Sequence, residues 1–244
     1  MEHLYKYLPI LNEKDELDEN LLKSILDGYI KFSQRTSFND PNDCQIYIED
    51  IMHNESKEFF ESLINKYYIA CFSKINDSVA MWSHYSKDHQ GICLVYNKTA
   101  LKTLLPQDIA QGEINYQSIP KIYSKSFFSD LRAHQAQENI FKYHCMNDMV
   151  ENVFFKKSLD WLYEKEYRIS FEISMIGKLK SKKLDNSYLI KLLPPIEIVL
   201  GGKCPETIIK EIEKIINQQK STVSLGQAKL DHESYSMKIV PYRK

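Results

Sequence analysis

The stretch CFSKINDSVAMWSHYSKDHQGICLVY, residues 71–96, gives the clearest indication of both fold and function. Apolar runs over residues 67–72 and 92–96 bound it, and such short runs are typical of buried strands. The groups able to do chemistry between these runs are Ser73, Asp77, Trp82, Ser83, His84, Tyr85 and His89. A plain connection between strands needs turn-forming residues rather than two histidines, a tryptophan and a tyrosine. The stretch therefore predicts two strands of a sheet with a functional site beside them.

The segments on either side add strands and helices in an irregular order. Strands are predicted over residues 4–8, 29–33, 112–116, 161–174, 189–193, 196–200 and 237–240. Helices are predicted over residues 17–26, 56–66, 100–105, 205–218 and, as one or two helices, 127–155, where the core candidates are Leu131, Ile140, Met149, Val150 and Val153. Because no repeat or low-complexity linker divides the chain, we expect one α+β domain over residues 1–244, with a central mixed or antiparallel sheet flanked by helices.

Composition excludes several classes of protein. The 244 residues are 43% apolar and 27% charged, which is enough to form a core. Only 7 are glycine, and neither GxGxxG nor GxxxxGK[ST] occurs, so a Rossmann or P-loop nucleotide site is not expected. The net charge of −1 gives no overall attraction to nucleic acid or an acidic membrane. The five cysteines form no CxxC pair, and no apolar run is long enough to span a bilayer, so we expect a cytoplasmic protein without a signal peptide.

The predicted strand at residues 161–174 carries the best candidates for catalysis. Alternation places Glu164, Glu166 and Arg168 on one face. Two carboxylates beside a guanidinium can position a polar substrate, accept a proton or stabilise a developing cation. The alternative is a solvated strand face with a surface Glu–Arg pair, which contributes little to stability.

The two histidines do not form a recognised metal motif. His84 and His89 are spaced as HxxxxH, without the glutamate of HExxH, and we expect no metal there. Hydrogen bonding by His84, and a place in the core or in a pocket wall for Trp82 and Tyr85, are the alternatives.

Two further groups have both a structural and a functional interpretation. Asn39, Asp40 and Asp43 in the segment NDPND either bind a cation or substrate hydroxyl, or form a rigid Asx turn. Ser33 and Ser73 each follow a phenylalanine at the end of a predicted strand. Asp77 and His84 are available as triad partners, but no GxSxG elbow surrounds either serine.

Taken together, these segments resemble a bacterial family known only as domain of unknown function 2971. The resemblance covers residues 4–170 and is looser over 186–244, which we expect to complete the same domain. Its motifs here are Leu4 to Tyr7, Phe32-Ser33, Phe38 to Asp43, Cys71 to Ser73, Met81 to Tyr85, His89 to Cys93, and Lys157 with Trp161 to Arg168.

More distantly, the order of a Tyr-x-Tyr strand, a helix, a strand ending in Ser and a late Glu-x-Glu strand resembles ADP-ribosyltransferase folds. That resemblance implies NAD as co-substrate, with Glu166 or Glu164 as the catalytic carboxylate and Arg168 orienting it. It places Tyr5, Tyr7, Ser33, Ser73, Trp82, His84 and Tyr85 around the dinucleotide. The first-strand His or Arg common in such transferases is Lys6 here, and alternation directs Lys6 away from Tyr5 and Tyr7.

The function implied by the resemblance is transfer of ADP-ribose from NAD to a macromolecular target, as a toxin or a phage-defence effector. One alternative is a non-catalytic binding or sensor module, in which Asp40, Trp82, His84 and Tyr85 form a buried polar network. Another is a metal-dependent nuclease using Asp40, Asp43 and Glu166. The sequence leaves the target open.

Overall fold

The computed structural model describes residues 2–49, 54–124, 126, 127, 129 and 147–243. Within these ranges the strands are β1 (His3–Leu8), β2 (Tyr29–Ser33), β3 (Tyr47–Ile48), β4 (Tyr67–Ser73), β5 (Ile92–Asn97), β6 (Ala110–Glu113), β7 (Asn115–Gln117), β8 (Ile122–Tyr123), β9 (Lys156–Ser158), β10 (Glu166–Glu172), β11 (Ser181–Leu184), β12 (Ser187–Lys191), β13 (Glu197–Leu200), β14 (Ser224–Leu230) and β15 (Met237–Pro241). The α-helices are α1 (Glu19–Leu26), α2 (Asn54–Ile64), α3 (Val79–Tyr85), α4 (Lys98–Leu104) and α5 (Glu206–Gln218).

Eleven strands of the described part of the chain form one large sheet. The main strand order is β11-β12-β2-β4-β1-β5-β13-β14-β15. Strand β10 also pairs with β4, and β6 pairs with β10. The pairings are antiparallel except that β13 and β14 are parallel. The expected α+β fold with a central mixed sheet flanked by helices is confirmed.

Helices α1 and α5 cover the sheet with apolar faces. The buried face of α5 is a stripe of five isoleucines: Ile208, Ile209, Ile212, Ile215 and Ile216. It shares one core cluster with Leu22 and Ile25 of α1 and with Leu94 of β5. Burying an aliphatic side chain of this size contributes about 1.5–3 kcal/mol, so this layer supplies much of the stability that holds the sheet.

Several sequence predictions need correction. The strand predicted over 161–174 begins only at Glu166, because Leu159–Glu164 is a 3₁₀ helix that ends at Lys165 in a left-handed conformation (φ 44°). Helix α3 and strand β14 were not predicted, and the strand over 112–116 is two strands, β6 and β7. Most of the helix predicted over 127–155, with Leu131 and Ile140, lies outside the described residues, whereas Met149 and Val153 are buried as expected.

The sheet forks at β4. Strand β10 pairs with every residue of one edge of β4, from Tyr67 to Ser73. The opposite edge is shared by two strands: β1 pairs with it through Tyr5↔Ser73, and β2 through Ser33↔Ile69. Away from these points β1 continues along β5, while β2 continues along β12. Because β1 and β2 diverge, the middle of this edge of β4 is left open.

Candidate active site at the fork of the sheet

A cavity of about 550 Å³ occupies the fork. The directions of the backbone N–H and C=O groups along β4 explain why the cavity is polar. Lys66 and Lys74, on either side of β4, bond to Ile173 and Lys165 beside β10. In an antiparallel ladder these directions alternate, so the backbone groups of the odd-numbered residue Cys71 face the fork. The carbonyl of Cys71 accepts a hydrogen bond from Lys6 Nζ (3.1 Å).

Most of the residues proposed from the sequence meet at this cavity. Those that line it are Tyr5, Tyr7, Ser33, Ser73, His84, Tyr85, Glu164 and Glu166. Two others do not. Arg168 is fully buried behind the wall, and Trp82 is fully buried in a core cluster with Tyr7 and Met81. Trp82 donates from its indole Nε1 to the Asn76 carbonyl (2.8 Å) and supports the wall from behind without lining the cavity.

Behind the wall lies a buried ion cluster centred on Arg168. Its guanidinium binds Asp43 with two hydrogen bonds (Nη1–Oδ1 2.8 Å and Nη2–Oδ2 2.5 Å) and Glu166 with two more (Nε–Oε1 2.6 Å and Nη2–Oε2 2.9 Å). Arg168 is 0% exposed and Glu166 is 5% exposed. Such two-pronged contacts fix both carboxylates in orientation. The expectation of a solvated Glu–Arg pair is therefore wrong, because the pair is buried.

Lys157 joins the second carboxylate to this cluster. Its Nζ lies 2.6 Å from Glu164 Oε2, 3.2 Å from Asp43 Oδ2 and 3.5 Å from Glu166 Oε2. The same Nζ lies over the ring of Trp161, 4.8 Å from its centroid. Burial disfavours the charge on Lys157, but the three carboxylates outweigh it and raise its pKa. Lys157 therefore remains a cation shared by all three.

The two glutamates have opposite pKa shifts. Burial and the negative charge of Glu166 raise the pKa of Glu164 to about 7. Burial acts on Glu166 in the same direction, but Arg168 and Lys157 outweigh it and lower its pKa to about 2. Two carboxyl groups with separated pKa values in one site provide a permanently ionised group beside one that exchanges protons near neutral pH.

Side chains of α3 complete the polar wall. The Tyr85 hydroxyl donates to Glu164 Oε1 and lies 3.3 Å from the side-chain amide of Asn39. The ring nitrogen Nδ1 of His84 lies 2.9 Å from the Tyr163 hydroxyl, and His84 is exposed. Of the network proposed for a binding module, Tyr85 thus bonds to the ion cluster, whereas His84 does not.

The NDPND segment serves both its structural and its polar role. Asp40 Oδ1 accepts from the Asn42 amide (2.9 Å), which is the expected Asx turn. The turn directs Asp43 to Arg168 and places Asn39 at the cavity. Among the described residues no group of three or more potential ligands can hold a metal ion, and Asp43 and Glu166 are neutralised by Arg168 and Lys157 instead.

The serine triad is not assembled. Ser73 Oγ donates to the Glu164 carbonyl (2.6 Å), and His84 bonds to Tyr163 rather than to a serine. The sequence reasoning also missed members of the site, namely Lys31, Phe38 and Lys157. Lys157 had one usable signal, since it belongs to the quoted family motif, whereas nothing in the sequence marked Lys31.

Comparisons with known proteins give one match. A family model described as protein of unknown function (DUF2971) matches residues 81–169, the segment from α3 to β10 that holds Tyr85, Lys157, Glu164 and Glu166. Neither the curated proteins nor the solved structures gave a significant match, so the likeness to ADP-ribosyltransferases stays a prediction. Within the described residues, no helix is both long and apolar enough to cross a membrane. Residues 81–169 are thus similar to the DUF2971 family over about a third of the chain.

Proposed function

We propose that this protein is an ADP-ribosyltransferase-like enzyme that cleaves the nicotinamide–ribose bond of NAD and transfers ADP-ribose to a macromolecular target. The observation that carries the proposal is the pair of buried carboxylates, Glu164 and Glu166, with pKa values of about 7 and about 2 at the wall of one cavity. In the proposed setting the enzyme acts in the bacterial cytoplasm as a toxin or phage-defence effector.

The roles of the two glutamates follow from their charge states. When the glycosidic C–N bond breaks, its electron pair leaves with nicotinamide and positive charge develops on the ribose. Glu166, held ionised and oriented by Arg168, stabilises that charge as it grows in the transition state. An incoming hydroxyl then bonds to the ribose C1′ carbon and gives its proton to Glu164, whose pKa near 7 suits a general base.

Aromatic side chains supply the remainder of the proposed binding site. Tyr5, Tyr7, Phe38 and Tyr85 line the same cavity and offer flat surfaces to a base or a nicotinamide ring. Lys6 alternates away from Tyr5 and Tyr7 and packs over Phe72, yet its ammonium reaches the Cys71 carbonyl and Lys6 also lines the cavity. A first-strand cation is thus present, as lysine rather than histidine or arginine.

The test is NAD consumption and ADP-ribose transfer by purified protein supplied with cell lysate. We expect Glu166→Gln to lower turnover by roughly 10²–10³-fold, the scale seen when a preorganised electrostatic group is removed. Glu164→Gln should lower turnover and also remove a rate dependence on pH near 7. The matched control is Glu172→Gln at the far end of β10, which should leave turnover unchanged. If the wild-type protein consumes no NAD with any lysate fraction, the enzyme proposal is wrong.

One observation favours a second function, a non-catalytic module that binds a nucleotide-like ligand. Both oxygens of Glu166 already accept hydrogen bonds from Arg168, an arrangement that also suits a purely architectural role. Such a module would bind NAD without consuming it. Equilibrium binding and turnover measured on the same preparation separate the two functions.

A further inference from the structure

Two lysines stand on the two sides of the fork without an acidic partner. Lys6 of β1 and Lys31 of β2 both line the cavity. Among the described residues neither forms a salt bridge, whereas Lys87 in the same wall pairs with Asp15. In the described lining of the cavity, Lys6 and Lys31 are thus lysines without a salt bridge.

The strand register brings these two lysines to the same place. Strand β1 meets β4 at Tyr5↔Ser73, and β2 meets it at Ser33↔Ile69. Two residues further along each diverging strand, the positions opposite Cys71 are Tyr7 and Lys31. Lys6 reaches that point with its side chain, since its Nζ bonds to the Cys71 carbonyl. The open edge at Cys71 thus has the Lys6 ammonium on one side and the strand position of Lys31 on the other.

The acidic groups that the structure describes in the wall form salt bridges with Lys157 and Arg168 rather than with Lys6 or Lys31. Glu164 is bonded to Lys157 and Tyr85, and Glu166 is bonded to Arg168, so both are held elsewhere. The Lys6 ammonium has three N–H donors, and one of them is accounted for by the Cys71 carbonyl. Burial is the main cause that lowers the pKa of Lys6. The nearby charge of Lys31 acts in the same direction, while Cys71 and Glu166 act against it. An anion bound between the two lysines would relieve the effects of burial and of the Lys31 charge.

We propose that Lys6 and Lys31 form a binding site for the diphosphate group of a nucleotide, in the opening between β1 and β2. The inference rests on the proposed function for the identity of the whole ligand, but the lysine pair makes it testable alone. A diphosphate suits the site because its two linked anionic groups can each meet one ammonium. The hydroxyls of Ser33 and Ser37, which line the same cavity, supply further donors for its oxygens.

The test is calorimetric binding of ADP, inorganic diphosphate and adenosine to the wild-type protein and to Lys6→Met, Lys31→Met and Lys191→Met. Lys191 is the matched control, because it is an exposed lysine on the neighbouring strand β12 and does not line the cavity. We expect ADP and diphosphate to bind the wild type, and each site variant to bind ADP roughly tenfold more weakly or worse, as for a lost charged hydrogen bond. Adenosine should bind weakly and equally to all four proteins.

The outcomes separate this inference from the proposed function. If NAD is never consumed but ADP binding is lost in Lys31→Met and kept in Lys191→Met, the diphosphate site stands and the enzyme proposal fails. If NAD is consumed while Lys6→Met and Lys31→Met bind ADP as the wild type does, the diphosphate site is wrong. Lys31 is exposed, so its variant is expected to fold even where Lys6→Met does not, and a thermal unfolding curve checks each protein.

Discussion

The two edges of β4 differ in how the charged side chains beside them are paired. Along one edge, β10 pairs with β4 without interruption, and the adjoining charges of Glu166 and Arg168 are buried and fully bonded. Along the other edge the ladder is broken between β1 and β2, and Lys6 and Lys31 line a cavity without a salt bridge to any described residue. The comparison teaches that a continuous ladder can hold buried charges rigidly, whereas an interrupted ladder leaves charges available to a ligand.

We therefore expect the charges on the β10 edge of β4 to contribute mainly to stability, and those on the fork edge to contribute mainly to ligand binding. Buried ion pairs are costly to break from one side, since the remaining partner is left charged and unpaired. Lys6 and Lys31 form no salt bridge with a described residue, so removing either one leaves no ion-pair partner behind. Substitutions on the two edges should therefore differ in size and in sign.

The largest effect is expected for Arg168→Met. The change leaves Asp43 and Glu166 buried without their main cation, and removing one partner of a buried pair typically costs about 3–5 kcal/mol. Denaturant unfolding measures the loss. The control is Lys178→Met, which removes an exposed pair with Asp108 and should cost about 0–1 kcal/mol. Equal stability of Arg168→Met and wild type would show that the cluster is not a structural element.

A smaller, pH-dependent effect is expected for Glu164→Gln. The pKa of Glu164 is raised from 4.5 to about 7 on folding, so between these values the folded protein holds a proton that the unfolded chain releases. Its contribution to stability is complete below pH 4.5 and is lost as the pH rises to about 7. The loss amounts to up to about 3 kcal/mol, and Glu164→Gln should not show it.

Glu166 gives the opposite dependence within the same experiment. Its pKa is lowered from 4.5 to about 2, so its stabilising contribution is present above pH 4.5 and is lost as the pH falls to about 2. Unfolding of wild type, Glu164→Gln, Glu166→Gln and the control Glu172→Gln from about pH 2 to pH 8 distinguishes the two carboxyls. A wild-type curve that stays parallel to that of Glu164→Gln between pH 4.5 and 7 would mean that Glu164 has an ordinary pKa.

On the open edge, Lys6→Met should leave stability unchanged or raise it by about 1 kcal/mol. Burial lowers the pKa of Lys6 from 10.5, so at neutral pH its charged form opposes folding, and methionine keeps the length of the stem without the charge. Thermal unfolding at pH 7 tests this. A loss of several kcal/mol would place Lys6 with Arg168 as a structural cation and remove the distinction between the two edges.

Local patterns in the sequence predicted the elements and most members of the site. The strand at residues 29–33 agrees with β2, and the isoleucine stripe identified α5, because both signals depend on neighbouring residues alone. The candidates Glu164, Glu166, Ser33, Ser73 and Tyr85, named from the sequence, line one cavity, and their catalytic and binding roles stay predictions. These are features that composition and spacing encode directly.

The fork itself could not be predicted. It arises because β1 and β2, which are far apart in sequence from β4, compete for one edge, and no local pattern records that competition. The 3₁₀ helix that precedes β10 could not be predicted for a different reason. Lys165 adopts a left-handed conformation that glycine or asparagine would have signalled, and lysine does not. Trp82 was expected at a pocket but lies in the core, because a tryptophan beside polar residues is compatible with either place.

The smallest effect on stability is expected for His84→Ala, and it tests whether the wall formed by α3 is free to serve a ligand. His84 is exposed and makes a single described hydrogen bond, to Tyr163, so its removal should change the free energy of unfolding by no more than about 0.5 kcal/mol. Its neighbour on α3 provides the contrast. Trp82→Phe loses a fully buried indole and its bond to Asn76, and should cost about 1–3 kcal/mol. If His84→Ala instead destabilises as much as Trp82→Phe, His84 belongs to the structural network and the wall formed by α3 is not free to serve a ligand.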